Sequence, residues 1–507
     1  MLFAGRRFAV VTLVVVATAT SLLALAACAN RHDDPVASPQ IPALDGVATP
    51  LRIMSFNIEL GGAYVSFDSV IRVIETARPD VVAVQEPFGE LKKIAERLGW
   101  HYNLRNHIVS KFPLLDPPEA DGIYLLVEVA PDQVVAVSNV HLPSDPYGED
   151  WIRDGRSLAD VVQLERQVRL PDIQRYLAVL PVLQRQNIPV FVAGDFNSPS
   201  AADWSPAAIV KYPFRRYPVN WPVAAAIAAA GFRDSYREAY PDPLLNPGFT
   251  WWAARPPLSG YDPAAEGAWQ SRIDFIWHAG PANLQNVHLA GESGAQDVAV
   301  PVDPWPSDHR AVIADFRVVA AAAPGIVTAE QRVYRSDEPV VVRFSGFSQS
   351  SYVTVSQRGS AVTQRYAISR EIRQLSLPPL ADEGSYDIVL FDEAGKALGS
   401  SSLQIVDEPP AVIMSKDRYA SGEPLVINWR NAPGYRYDWL GVFAVDGVSE
   451  VLVWQHIRAA LDGETTVSAA SPDGVWPLPP GRYTVRLLLD DSDVVLAETP
   501  AFSITVR

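Results

Sequence analysis

The chain has 507 residues, 48% hydrophobic and 20% charged, a composition suited to a globular protein of two to four domains. Its net charge of −16 and pI near 5.0 argue against broad binding to a phosphate backbone, which requires clustered Lys and Arg. They do not exclude a polyanionic substrate whose charge is met locally by a metal ion.

The first residues read as a targeting segment. Arg6 and Arg7 precede an apolar run that ends in small residues and in Cys28, the single cysteine of the chain. "LAAC", Leu25 to Cys28, resembles the lipobox of bacterial lipoproteins. That resemblance implies a signal peptide over 1–27, lipidation of Cys28 and a membrane-anchored protein of the cell envelope, outside the cytoplasm; the other outcome is secretion. Residues 28–49, rich in Pro, Asp and Ala, read as a flexible tether. Without a second cysteine, the rest of the chain has no disulfide or thiolate site.

Residues 50–319 mix strand and helix patterns. "RIMSFNI" predicts a strand reaching Asn57, and "SFDSVIRVIETARP" an amphipathic helix stopped by Pro79. "DVVAVQE" and "VVAVSNVH" predict strands ending at Glu86 and His141. "DIQRYLAVLPVLQRQ" predicts a helix that Pro181 should kink. "IPVFVAGDFN" then predicts a core strand with Asp195 and Asn197 on one face of its end. Such a carboxylate and amide either position a water or close the strand as an Asx turn. Residues 198–270 read as long loops around one Ala-rich helix near Val223 to Ala230.

Beyond the "AAAAPG" linker the texture becomes short alternating strands. "YRSDEPVVVRF" from Tyr334 matches "YASGEPLVINW" from Tyr419, so 325–407 and 408–507 read as tandem β-sandwich repeats. Neither shows a cluster suited to catalysis. His456 reads as a surface or packing residue, and the pair as spacers or as modules for a cell-surface ligand.

The chemistry concentrates in 50–319. Asn57, Glu86, His141, Asp195, Asp274 of "RIDFIW", and Asp308 with His309 of "PSDHRAV" each terminate an apolar strand pattern, so all could meet at one sheet end. So many polar groups gathered at one sheet end are costly to bury without a counter-charge, and a hard cation such as Mg²⁺ supplies one. Local readings compete with this: Asp274 as a partner of Arg272, His141 as a satisfied strand-end histidine, and Asn57 and Asn197 as turn residues.

The ordered set "FN", "QE", "NVHL", "GDFN", "RID" and "SDH" resembles the endonuclease/exonuclease/phosphatase superfamily over about residues 51–318. The resemblance implies a deoxyribonuclease I-like four-layer α/β sandwich, here followed by the two all-β sandwich domains. It implies a metal-dependent phosphoric ester hydrolase, a phosphodiesterase or nuclease, using Mg²⁺ with Mn²⁺ as an alternative. Glu86 would be the principal metal carboxylate, with Asn57 and Asp308 completing the site. Asp195 would activate water, Asn197 orient it, and His309, held by Asp274, bind phosphoryl oxygens. His141 would stabilise charge or assist the leaving group.

Two further features remain. "KYPFRRYP" offers Arg215 and Arg216 as substrate-binding cations, against a reading as solvated loop charges. Trp251 and Trp252 would form a stacking wall or pack in the core. The alternative functions are a sphingomyelinase-like lipid phosphodiesterase or phosphatase, and a surface-binding protein with a vestigial catalytic domain.

Overall fold

Strands that are apolar on both faces must be covered on both faces, and the fold follows from that. In Thr49–Asn57, Leu51 and Ile53 enter one core while Met54 and Phe56 enter another. The first core lies between two seven-stranded sheets and takes Val135, Val137, Phe191 and Ala193 from the second. The outer cores are closed by helices. Phe67–Ala77 packs Val70, Val73 and Ile74 on the first sheet, and Leu170–Arg185 packs Ile173, Tyr176 and Leu180 on the second. The result is helix, sheet, sheet, helix: the expected four-layer α/β sandwich.

Local chemistry sets the helix ends. Ser66 accepts from the Ser69 amide, and Arg78 closes the helix at φ 52° just before Pro79. Leu170–Arg185 is one helix that carries Pro181 within it.

This computed structural model describes residues 47–254, 270–445, 451–469 and 474–506. Cys28 and the segments expected to be signal peptide and tether, up to residue 46, lie outside the described residues. Among the described residues, no helix is long and apolar enough to cross a membrane.

Sheet direction places the polar residues. Thr49–Asn57 runs parallel to Val81–Gln85, pairing Asn57 with Gln85. In the second sheet Gln133–His141 runs parallel to Val190–Asp195, pairing His141 with Asp195. Asp274–Ala279 is antiparallel to the latter and pairs Asp274 with Asp195. His141, Asp195 and Asp274 therefore stand in one row across three strands. This corrects the expectation that each polar residue ends a strand. Asp274 opens its strand, and Asp308 and His309 precede Ala311–Val318. Because both strands are antiparallel to their neighbours, their starts meet the others' ends. Gly194 is required beside Asp195, since a Cβ there would stand 2.0 Å from the Val140 carbonyl oxygen.

The C-terminal half forms two further pairs of sheets, one three- and five-stranded, the other three- and six-stranded, each with its own core. The matched sequences occupy matched positions. Val333–Tyr334 and Arg418–Ala420 each form a short parallel pairing, with Ala397–Ile405 and Phe502–Thr505 respectively. Tyr334 and Tyr419 each accept a backbone hydrogen bond from the residue three before, Gln331 and Lys416. The "AAAAPG" segment is no free linker: Ala321–Ala322 pairs with the Gln133–His141 strand, and Ile326 enters the core of the second sheet.

Candidate active site

The shared sheet end gathers the expected residues into one cluster. Asn57 Nδ2 donates to Glu86 Oε1 at 2.9 Å and to Asp195 Oδ2 at 3.2 Å, which ties the two sheets together. His309 Nδ1 lies 2.9 Å from Asp274 Oδ2, and its Nε2 is 3.7 Å from Asp195 Oδ2 and 3.9 Å from Asp308 Oδ1. His141 Nε2 is 3.7 Å from Asp195 Oδ2 and 3.9 Å from Glu86 Oε1.

Each side chain is fixed by neighbours. Asn197, at φ 46°, lies past the strand rather than on its face. Its amide N–H donates to Asp195 Oδ1 at 2.9 Å and its Nδ2 to the Leu142 carbonyl at 3.0 Å. The Asx turn is therefore real, and it holds the carboxylate in place. Asp274 is free of Arg272, whose guanidinium binds Asp203 and Asp234 instead. Asn57 Oδ1 accepts from the Glu59 amide while its Nδ2 bridges Glu86 and Asp195, so this side chain spaces the two acids.

Further side chains support the cluster. Thr250 Oγ1 accepts from the Ile273 and Asp274 amides, anchoring the start of that strand. Ser307 Oγ donates to the Asn57 carbonyl and accepts from the His309 amide. Glu59 accepts from the Asp308 amide, and Trp251 Nε1 donates to Asp308 Oδ2 at 3.3 Å. Trp251 thus lines the site. Thr250 and Glu59 are not singled out by the sequence, because they meet their partners, 23 and 249 residues away, only on folding.

Burial sets the charges. Desolvation, reinforced by Asp308, raises the Glu86 carboxyl above its ordinary value. Desolvation and Asp274 push Asp195 up to about 7, against the opposing pull of His309. For His309 burial opposes the charge, but Asp274, Asp195 and Asp308 outweigh it and hold the imidazolium well above the usual histidine range. Burial, with repulsion from His309 and Arg436, drives His141 down to about 3.

Crowded acids of this kind fit a hard cation. Glu86 and Asp308 offer oxygen donors, and one carboxylate oxygen of Asp274, Oδ1, is buried without a hydrogen-bond partner. Asp195, Asp274 and His309 also place ligand atoms within 4.8 Å of one another. There, however, His309 Nδ1 is already engaged by Asp274, so that trio reads as an imidazolium held between acids.

Residues 54–309, half of the chain, match the Endonuclease/Exonuclease/phosphatase family and span every member of the cluster. The chain belongs to this family. A curated relative, the uncharacterized protein F14F9.5 of Caenorhabditis elegans, is 27% identical over 305 residues, covering 53% of this chain and 92% of its own. Among solved structures, an AP endonuclease from Archaeoglobus fulgidus is similar at 20% identity and TM-score 0.34, over 52% of this chain and 98% of its own. A mannosyl-6-phosphatase of Bacteroides thetaiotaomicron is similar at 14% identity and TM-score 0.27, over 52% and 99%. As a family member, the protein is a phosphoesterase.

Two expectations, Arg215 and Arg216 as substrate-binding cations, are corrected. Arg215 is buried, stacked on Trp204 and Tyr212, and donates to the Asp203 carbonyl, so it packs a loop core instead of meeting substrate. Arg216 donates to the Arg153 carbonyl on the surface and stays outside the cluster. His456 takes the packing role, one of the two expected for it. Its Nε2 is 2.5 Å from Asp491 Oδ1, and its ring packs on Tyr437, which in turn faces His141.

Because Asp274 is the His309 partner at hydrogen-bond distance, Asp274→Asn should lower the His309 pKa by roughly 1–3 units, the usual effect of losing an adjacent opposite charge. Imidazole NMR titration of the two proteins reads this directly. An unchanged His309 titration contradicts the pairing.

Proposed function

We propose that the protein is a divalent-metal-dependent phosphodiesterase acting outside the cytoplasm, with Mg²⁺ as its cation and Mn²⁺ able to substitute. The observation that carries the reading is the His309 imidazolium, clamped by Asp274 and aimed at Asp195, with the partly exposed Glu86 beside it. A phosphate ester repels nucleophiles, so its hydrolysis needs fixed positive charge and an activated water.

Glu86 and Asp308 would hold the cation, which supplies positive charge to the phosphoryl oxygens and acidifies water. Asn57 keeps the Glu86 and Asp195 carboxylates at a fixed spacing. Asp195, oriented by the Asn197 amide and with a pKa near 7, takes the proton of the attacking water. His309 directs its Nε2–H to a phosphoryl oxygen. His141 enters as a neutral imidazole at pH 7, which suits hydrogen bonding to the substrate better than donation of a full positive charge. The presence of every charge-bearing member favours a working site over a vestigial one.

Asp195→Ala and His309→Ala should each lower kcat by about 10²–10⁴-fold on a chromogenic phosphodiester, the usual worth of a positioned base or anion stabiliser. In the parent, activity should fall as pH drops through about 7 and Asp195 takes up a proton, with bound cation pulling that limb lower. Mg²⁺ at 100 times its Kd should stabilise the parent by about 2.7 kcal/mol in thermal melts, and Glu86→Gln should remove the shift. Full activity in either alanine variant, or an identical Mg²⁺ shift in Glu86→Gln, contradicts these roles.

Arg6, Arg7 and "LAAC" support the extracytoplasmic, lipid-anchored part of the reading. Membrane fractionation should find the parent in the membrane pellet and Cys28→Ala in the soluble fraction. A parent that is soluble in the cytoplasm contradicts it.

A further inference from the structure

The last β-sandwich is part of the catalytic neighbourhood. Arg436 donates from Nη1 to the Asn139 carbonyl at 2.8 Å and from Nη2 to the Tyr176 hydroxyl, both on the catalytic half. Tyr437 donates its hydroxyl to the carbonyl of His141 at 3.3 Å. Asp490 accepts from the Gly89 amide at 2.9 Å and stands 2.9 Å from His107 Nε2. These contacts fix the repeat as one wall of a cavity of about 210 Å³, whose other wall includes His141.

The charge of this cavity opposes that of the chain. Four arginines line it, Arg105, Arg175, Arg436 and Arg458, against two aspartates, Asp121 and Asp172. Arg105 is paired with Asp121. Arg436 donates to neutral oxygens, so no carboxylate cancels its charge. Arg175 and Arg458 are exposed, and neither has an ion-pair partner among the described residues. On a chain of net charge −16, a local excess of guanidinium groups facing a cavity is a focused anion attractor.

We infer that this cavity is a second anion subsite, built jointly by the catalytic domain and the last β-sandwich, which binds a phosphate-like group carried on an arm of the substrate. The inference rests on the phosphodiesterase reading for its direction: His141 borders both the acid cluster and the cavity, so the two anions lie a short linker apart. Guanidinium forks match phosphate oxygens in pairs, and a bound arm raises the effective concentration of the reacting ester. A cavity of this size accommodates a small phosphorylated group. The substrate class is therefore a compact ester with a second phosphate, free or as a lipid headgroup.

The test needs no turnover. Full-chain, Mg²⁺-loaded protein is titrated calorimetrically with alkane bisphosphonates, roughly three to six carbons long to cover the span, and with the matching monophosphonates. The parent should bind its best bisphosphonate at least about tenfold tighter than the monophosphonate, and Arg175→Ala/Arg458→Ala should remove most of that ratio. Both arginines are exposed, and an unchanged circular dichroism melt certifies the fold. A parent that does not discriminate, or a variant that keeps the full ratio, overturns the subsite. Aryl phosphodiesters with and without a terminal phosphonate extend the test to catalysis: the ratio of their kcat/KM values should fall in the variant. Offering the two-anion ester in solution and on vesicles identifies the free or the lipid source. Absence of all hydrolysis counts against the phosphodiesterase reading, while the binding ratio still decides the subsite.

Discussion

Four carboxylates, Glu86, Asp195, Asp274 and Asp308, meet at the joint end of two sheets, and their mutual repulsion is the constraint that organises the site. A buried carboxylate loses several kcal/mol of hydration unless something replaces it. The protein replaces it with a tethered imidazolium at His309, amide donors from Asn57 and Asn197, and the backbone N–H of Leu60 at Glu86. What these groups leave uncompensated is the demand that a divalent cation meets. Asp195 and Asp274 are buried while Glu86 and Asp308 stay partly exposed, so the two acids assigned to a cation are the two that solvent still reaches.

The sheets make this arrangement rigid. Gln85 Nε2 donates to Asn139 Oδ1, and Asn139 Nδ2 donates to the Val84 and His107 carbonyls, so a buried polar bridge joins the sheets directly beneath the cluster. The pairing of Asp195 with both His141 and Asp274 fixes three functional side chains by backbone register alone. Spacing errors there would require breaking a ladder, not turning a rotamer.

Much of this was legible before folding. The mix of apolar strands with helices such as Phe67–Ala77 is readable from pattern, the four-layer sandwich is implied by the family resemblance, and the cluster is expected from polar residues at the ends of apolar strand patterns. Strand direction was not legible: "RIDFIW" reads the same whether Asp274 opens or closes the strand. Nor was the role of Asn57 as a spacer, because a single amide can donate or accept. Arg215 misled because a basic, aromatic stretch looks exposed until Trp204 and Phe249 close over it. Tyr437 and Arg436 were invisible as site neighbours, since nearly 300 residues separate them from His141 and Asn139. The tandem repeats were recognisable as modules, but a module's sequence does not say which face it lays against another domain.

The most direct measurement is anomalous diffraction from crystals grown with Mn²⁺. An ion coordinated by a Glu86 carboxylate oxygen, at the roughly 2.1 Å characteristic of small divalent cations with oxygen donors, is what the account predicts. No bound ion at millimolar Mn²⁺, or one seated away from Glu86 with that carboxyl still bonded only to Asn57 and Leu60, would contradict it.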